Sequence, residues 1–296
     1  MRNFLLTSAA FVLCAGGAIA APAPVSGSVG VNVGADFTNF DINSPTYGTS
    51  GTAFEFGGAA HINAWLDNST SVQLDVQADA TTSIKFRNTC SNCSSDGRTG
   101  GLFGVHVSDR SSPNFLWGAF AGLSGQSNLD YDGTMTHVVL GVEGQYYDGP
   151  FTLYGQVGYA PLMSDSNENE PSGLKFLRGV GRYFLTDNDR VQLDVSYAAS
   201  DVDGFDGAEY HFWNGGLSWQ HRYPNSPFSS TIAYSGMWAD SDLVSAPGNS
   251  AQENIVSVGF AIHFGDASLK EADRQGATLD MPNFGTAEAW SWWLQD

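Results

Sequence analysis

Nine ionisable side chains stand at positions that alternate with apolar or small ones: Glu55, His61, Asp75, Asp79, Glu143, Arg178, Arg182, Arg190 and Asp194. In "SVQLDVQADA" (71–80) Asp75 and Asp79 interleave with Leu74, Val76 and Ala78, and "RVQLDVSYA" (190–198) echoes it around Asp194. Successive residues of an extended strand point to opposite faces, so the charges share one face and the apolar residues the other. If the strands close into a ring of about 12, the polar face lines a lumen. Glu55, His61, Asp75 and Asp79 of the second and third strands then stand half a turn from Arg178, Arg182 and Arg190 of the eighth and ninth. Opposed rows of fixed charge in a low-dielectric wall set the selectivity of a passage. The same groups can instead satisfy one another. Arg178 and Arg182 flank Asp194 diagonally across a hairpin, and Lys85 interrupts the acidic side.

Other constellations are weaker. "CSNC" (Cys90, Cys93) lies in a long connection and reads as a local disulfide formed after export. "LDYDGT" (Asp130, Asp132) and "DVDGFDGAE" (Asp201, Asp203, Asp206, Glu209) are oxygen-rich and Gly-turned, at most weak Ca²⁺ ligand sets. No cofactor and no resident metal are expected. The six histidines are scattered, neither a G-x-S-x-G elbow nor an H-E-x-x-H pair occurs, and no enzyme is expected. A formal charge of −19, about −20 once the leader containing Arg2 is removed, argues against a nucleic-acid partner.

The elements that must position these groups are all of one kind. Residues 1–20 read as a signal peptide: Arg2, an apolar stretch, and Ala18-Ile19-Ala20 as the cleavage site. Beyond it no apolar run approaches the roughly 18 residues of a membrane helix. Period-two alternation recurs instead, with strand cores near 27–39, 52–66, 70–86, 101–108, 115–123, 135–147, 151–160, 174–185, 190–200, 210–222, 228–238 and 253–264. Short turns ("LDNST", "SDRSSPN", "YDGP", "LTDND", "RYPNSP") alternate with long connections, the signature of an up-and-down transmembrane barrel. Trp65, Trp117, Tyr146, Tyr147, Tyr159, Tyr183, Phe184, Trp213, Trp219 and Trp238 fall near strand ends, where aromatic girdles belong. The fold class is thus all-β, a transmembrane antiparallel up-and-down barrel over 21–264.

"SVGFAIHF" (257–264) places Ser257, Gly259, Phe260, Ile262 and Phe264 on the last strand. It resembles the closing-strand signal of Gram-negative outer-membrane β-barrel proteins of porin-like type. That resemblance implies the outer membrane as location and the barrel-assembly machinery as partner during insertion. It also implies contact with outer-membrane lipid and lipopolysaccharide. The opposed charges are similar to the transverse field of general porins, which implies passive passage of small polar solutes. The acidic loops predict a weak cation preference in such a channel. The alternative is a structural or interaction barrel, its lumen occluded, binding a partner through the acidic loops or the tail.

Family members usually stop at the final aromatic, whereas this chain continues through 265–296, expected as a periplasmic extension. "SLKEADRQ" predicts a short helix with Ser268 as N-cap and Glu271 three residues on. Trp290, Trp292 and Trp293 would be costly in water. They are expected to anchor at the inner leaflet or to dock on a periplasmic partner or neighbouring subunit, with entry into the lumen as the third arrangement.

Overall fold

The computed structural model describes residues 25–41, 50–87, 94–95, 97–127, 134–164, 173–201, 209–242 and 249–284. The strands are β1 (Val25–Asp41), β2 (Ser50–Trp65), β3 (Thr70–Thr81), β4 (Ile84–Arg87), β5 (Ser94–Ser95), β6 (Thr99–Asp109) and β7 (Phe115–Ser127). They continue as β8 (Thr134–Asp148), β9 (Phe151–Ser164), β10 (Gly173–Thr186), β11 (Asp189–Asp201), β12 (Glu209–Arg222), β13 (Phe228–Ser241) and β14 (Ser250–Phe264). One helix, α1 (Leu269–Gln275), follows.

Each long strand pairs antiparallel with its neighbours, and β1 pairs with both β2 and β14, which closes the sheet. The short β4 pairs with the start of β2 and carries β5, so this hairpin extends the rim and twelve strands form the ring. Closure leaves no unpaired strand edge in the ring itself, the condition for crossing hydrocarbon with sheet. The tight connections (66–69, 110–114, 149–150, 187–188 and 223–227) gather at one end, here the turn end. The long connections gather at the other, the loop end. At the turn end Gly149 and Asn225 adopt positive φ of 54° and 56°, and Asp67 Oδ1 accepts from the backbone N–H of Ser69 and Thr70 at 2.8 Å each.

Alternation sorts the two faces as the sequence predicts. Val31, Phe54, Trp117, Leu153, Leu177, Leu217 and Phe260 all point outward and exposed, part of a continuous apolar band around the ring. Asn63, Gln73, Asp75, His106, Gln145 and Arg182 point inward and are buried. An apolar outside on a sheet without edges is stable only in hydrocarbon. Three of the girdle aromatics depart from expectation: Tyr147 and Phe184 are buried inside, and Trp65 turns its ring nitrogen to a backbone carbonyl of the tail. Each keeps the inward parity of its strand, Tyr147 with Gln145, Phe184 with Arg182 and Trp65 with Asn63, so register and not nearness to a strand end decides the face.

The interior is less uniformly polar than the pattern implies. Toward the loop end Leu102, Phe120, Val139, Phe176, Phe212 and Met237 form a buried apolar layer with Met281 and Phe284 of the tail. Stretches such as "VVLGV" (138–142) are apolar on both faces, so period two says nothing there about which face is wet.

Residues 265–284 of the tail do not hang outside the barrel. After Phe264 the chain turns at Gly265, whose φ is +87° and where a Cβ would lie 2.4 Å from Val25 O. Only glycine makes that turn without displacing the first strand. Ser268 caps α1, its hydroxyl accepting from Glu271 N at 3.1 Å, as the sequence predicts. Residues 276–284 then run up the lumen, so the expected periplasmic extension is corrected over 265–284: that part is a plug. Trp290, Trp292 and Trp293 lie outside the described residues, as do Cys90, Cys93, Asp130, Asp132, Asp203, Asp206 and the leader.

Candidate functional site

The lumen is built around the plug. Polar contacts from the wall hold it along its length. Gln73 on β3 gives its amide to Leu279 O and accepts from Leu279 N at 3.1 Å. Tyr154 and Gln156 on β9 reach Asp280 O at 3.2 and 2.8 Å. Arg182 on β10, 2% exposed, takes Asp273 Oδ1 at 2.8 Å, Thr278 Oγ1 at 2.7 Å and Asp280 Oδ2 at 2.9 Å. Nearer the turn end, Arg110 donates to Gly276 O at 3.0 Å, and Arg274 donates to the carbonyls of Gly149 and Phe151 at 3.2 and 3.0 Å. The plug therefore brings its own carboxylates to the barrel's guanidiniums.

All nine charged residues singled out from the sequence point into the barrel, but their partners differ from the opposed-row picture. His61 meets Asp75 across the β2–β3 register, Nδ1 to Oδ1 3.0 Å. Asp75 continues to His106 Nε2 at 3.0 Å, and His106 Nδ1 to Glu143 Oε1 at 2.8 Å, which brackets His106 between two carboxylates. Tyr154 Oη closes this chain on Glu143 Oε2 at 2.6 Å. Arg178 pairs with Asp194 on the adjoining strand, the diagonal pairing foreseen as the structural alternative. Arg182 is met by the plug. Glu55 stands 3.5 Å from Arg98. Asp79 and Arg190 line cavities, and among the described residues neither forms an ion pair within 4.0 Å. So the guanidiniums on β10 are neutralised locally and do not confront the carboxylates of β2 and β3 across open water.

Several members of the site escape sequence reasoning. Arg98, in the connection before β6, enters the loop end of the lumen and binds Glu253 of β14 with both amino groups, at 2.7 and 2.5 Å. Asp36 lies 4.0 Å from the same guanidinium, fully buried. Nothing periodic marks Arg98, Asp273 or Asp280, since each lies outside the alternating strands. His106 was legible in principle: it falls on the polar parity of "GVHVSD" (104–109) between Val105 and Val107. Of the closing-strand residues, Phe260, Ile262 and Phe264 face outward, while Ser257 and Gly259 face the lumen.

Two cavities remain beside the plug, both along the wall from β11 through β14 to β2, with β1 lining only the one nearer the turn end. The one toward the loop end is about 420 Å³, lined by Glu55, Asp79, Arg98, Arg178, Asp194 and Glu253 among others. The one toward the turn end is about 340 Å³, lined by Arg182, Arg190, Gln220, His263 and Thr231 among others. His61 and Asp280 border both. Small residues on this wall, Gly215, Gly216, Gly236, Gly30 and Gly259, keep the space between wall and plug open. Among the described residues, no group of three or more His, Cys, Asp or Glu has the geometry to hold a metal ion.

No protein-family model and no curated protein matches the sequence. Among solved structures, an outer-membrane channel from Pseudomonas putida F1 superposes with a TM-score of 0.61 at 10% identity, over 81% of this chain and 96% of that one. A FadL homologue from Pseudomonas aeruginosa overlaps at a TM-score of 0.46 and 9% identity, over 81% of this chain and 90% of that one. At such identity the likeness is one of fold. With its closed ring, apolar outer band and polar interior, the chain is a twelve-stranded antiparallel β-barrel of the outer membrane.

Proposed function

We propose that the chain is a channel for the passive passage of small polar solutes, with residues 276–284 lying in its lumen as a plug. The observation that carries this reading is the pair of cavities of about 420 and 340 Å³ on one wall, meeting at His61 and Asp280. Both have charged and amide side chains in their linings, and both lie within the range of roughly 300–1,000 Å³ typical of small-molecule sites. A solute would move along the glycine-lined wall past the plug. On that path it would pass His61 and Asp280, which border both cavities. No enzymatic step is part of this reading, because the buried histidine His106 is spent on two carboxylates.

Purified full-length protein in planar bilayers, compared with protein lacking 266–296, tests it. Small stepwise conductance from the full chain and a larger conductance from the truncated one are expected. A truncated, folded barrel that stays electrically silent overturns the reading. That result would favour the second one, an interaction barrel with a sealed lumen. The apolar layer and the Arg98–Glu253 bridge across the loop end are what speak for it.

A further inference from the structure

In the turn-end cavity the Arg190 guanidinium has, among the described residues, no carboxylate within 4.0 Å. Arg98 is bound to Glu253, Arg178 to Asp194, and Arg182 to Asp273 and Asp280. Arg190 lines the cavity from β11, and its one hydrogen bond among the described residues is Nη2 to Gln220 Oε1 at 2.8 Å. Its Nε is buried and meets no acceptor there. A buried charged donor without an acceptor is costly in a native protein, and a charge-assisted, forked contact is what guanidinium geometry favours.

The surroundings suit an acceptor brought from outside. Gln220 fixes the guanidinium from one side and is itself anchored, Nε2 to Ser229 Oγ at 3.2 Å. Ser229 Oγ in turn lies 2.8 Å from His263 Nε2, and His263 also lines the cavity. Three carboxylates face the same space: Asp266, Asp273 and Asp280. Asp273 is committed to Arg182 at 2.8 Å and to the Thr152 hydroxyl at 2.6 Å, and Asp280 to Arg182 at 2.9 Å. Asp266 sits against Gly276 at the end of α1.

We infer that the turn-end cavity is a binding site for a small organic carboxylate, which accepts from the terminal guanidinium donors of Arg190 that Gln220 leaves free. The inference deepens the channel reading by naming a solute class, and rests on it for that meaning. Its test, however, reads binding and not passage. A sealed barrel can still bind, and a conducting one can fail to.

The experiment is equilibrium dialysis of the full-length protein in detergent against radiolabelled malonate at constant ionic strength, with neutral malonamide as competitor. Saturable binding that malonamide does not displace is expected. Arg190→Gln should weaken it about tenfold or more, the loss of a charge-assisted pair of hydrogen bonds. Arg190→Lys keeps the charge but not the fork and should bind with intermediate strength. It also decides the matter if the glutamine variant fails to fold. Folding of each variant is checked by heat-modifiable migration on gels. Absence of saturable binding in the folded native chain overturns the site. So does a folded Arg190→Gln, or Arg190→Lys, that binds malonate as tightly as the native protein.

Discussion

Gly104 and Gly122 face each other across the β6–β7 register and form a socket for Met281 of the plug. A Cβ at Gly104 would lie 2.2 Å from Met281 Cγ and 2.5 Å from Sδ, and its three nearest atoms all belong to that side chain. Gly104→Ala therefore leaves the wall's backbone unstrained and acts on the plug alone. Gly122→Ala is a poorer probe, because its Cβ would also come within 2.4 Å of Phe103 O. Met281 is 6% exposed, so pushing it out forfeits most of the burial of one methionine, about 1.5–3 kcal/mol. Against the overpacking alternative, about 1–3 kcal/mol, the two estimates overlap near 2 kcal/mol. That is about a 30-fold rise in the population with the segment displaced. Proteolytic removal of a C-terminal epitope, under conditions where opening and reclosing are fast, follows that population. Faster tail cleavage and a raised open-state conductance are the expected results. Met281→Ala in the same background removes the collision, so the double variant should cost less than the sum of the single ones. Tail cleavage at the native rate in Gly104→Ala, or strict additivity of the pair, would refute the socket.

Three further expectations follow from the same structure. Arg182→Ala leaves Asp273 buried without its guanidinium and should cost about 3–5 kcal/mol; the fall is read as a lower Tm and a protease-sensitive tail. Leu177→Arg, at a site 61% exposed on the outer band, should destabilise the barrel by about 2–4 kcal/mol if that residue sits near the bilayer midplane, measured by denaturant titration in lipid. At the turn end the backbone N–H groups of Ser69 and Thr70 hold the Asp67 carboxyl below its usual range. A depressed folded-state pKa means the contribution is present above the unfolded value, near 3.9, and is lost as pH falls through the folded one. The stability gap between the native chain and Asp67→Ala should therefore be full at pH 6 and shrink under acid; a gap that does not change with pH contradicts the assignment.

Twelve strands, their order and the sidedness of nearly every residue in them followed from period two and from the alternation of short and long connections. The reason is local: a strand's faces are set by successive residues, and a ring of neighbours joined in sequence needs no long-range information to be ordered. Inward placement of Glu55, Asp75, Arg178 and Arg190 followed from the same parity. Partners within one hairpin followed too, as for Arg178 and Asp194, but partners brought from outside the strands did not. Arg98 meets Glu253, 155 positions away in sequence, and Arg182 meets Asp273 and Asp280, because residues outside the strands fold into the lumen. Tail residues carry no period, and a short amphipathic stretch reads alike whether it lies on a bilayer, a partner or a barrel wall. Only closure of the ring created the space, the glycine at 265 turned the chain into it, and the Met281 socket and buried carboxylates of the plug then found their complements. Strand pattern settled the vessel; the three-dimensional packing settled what fills it.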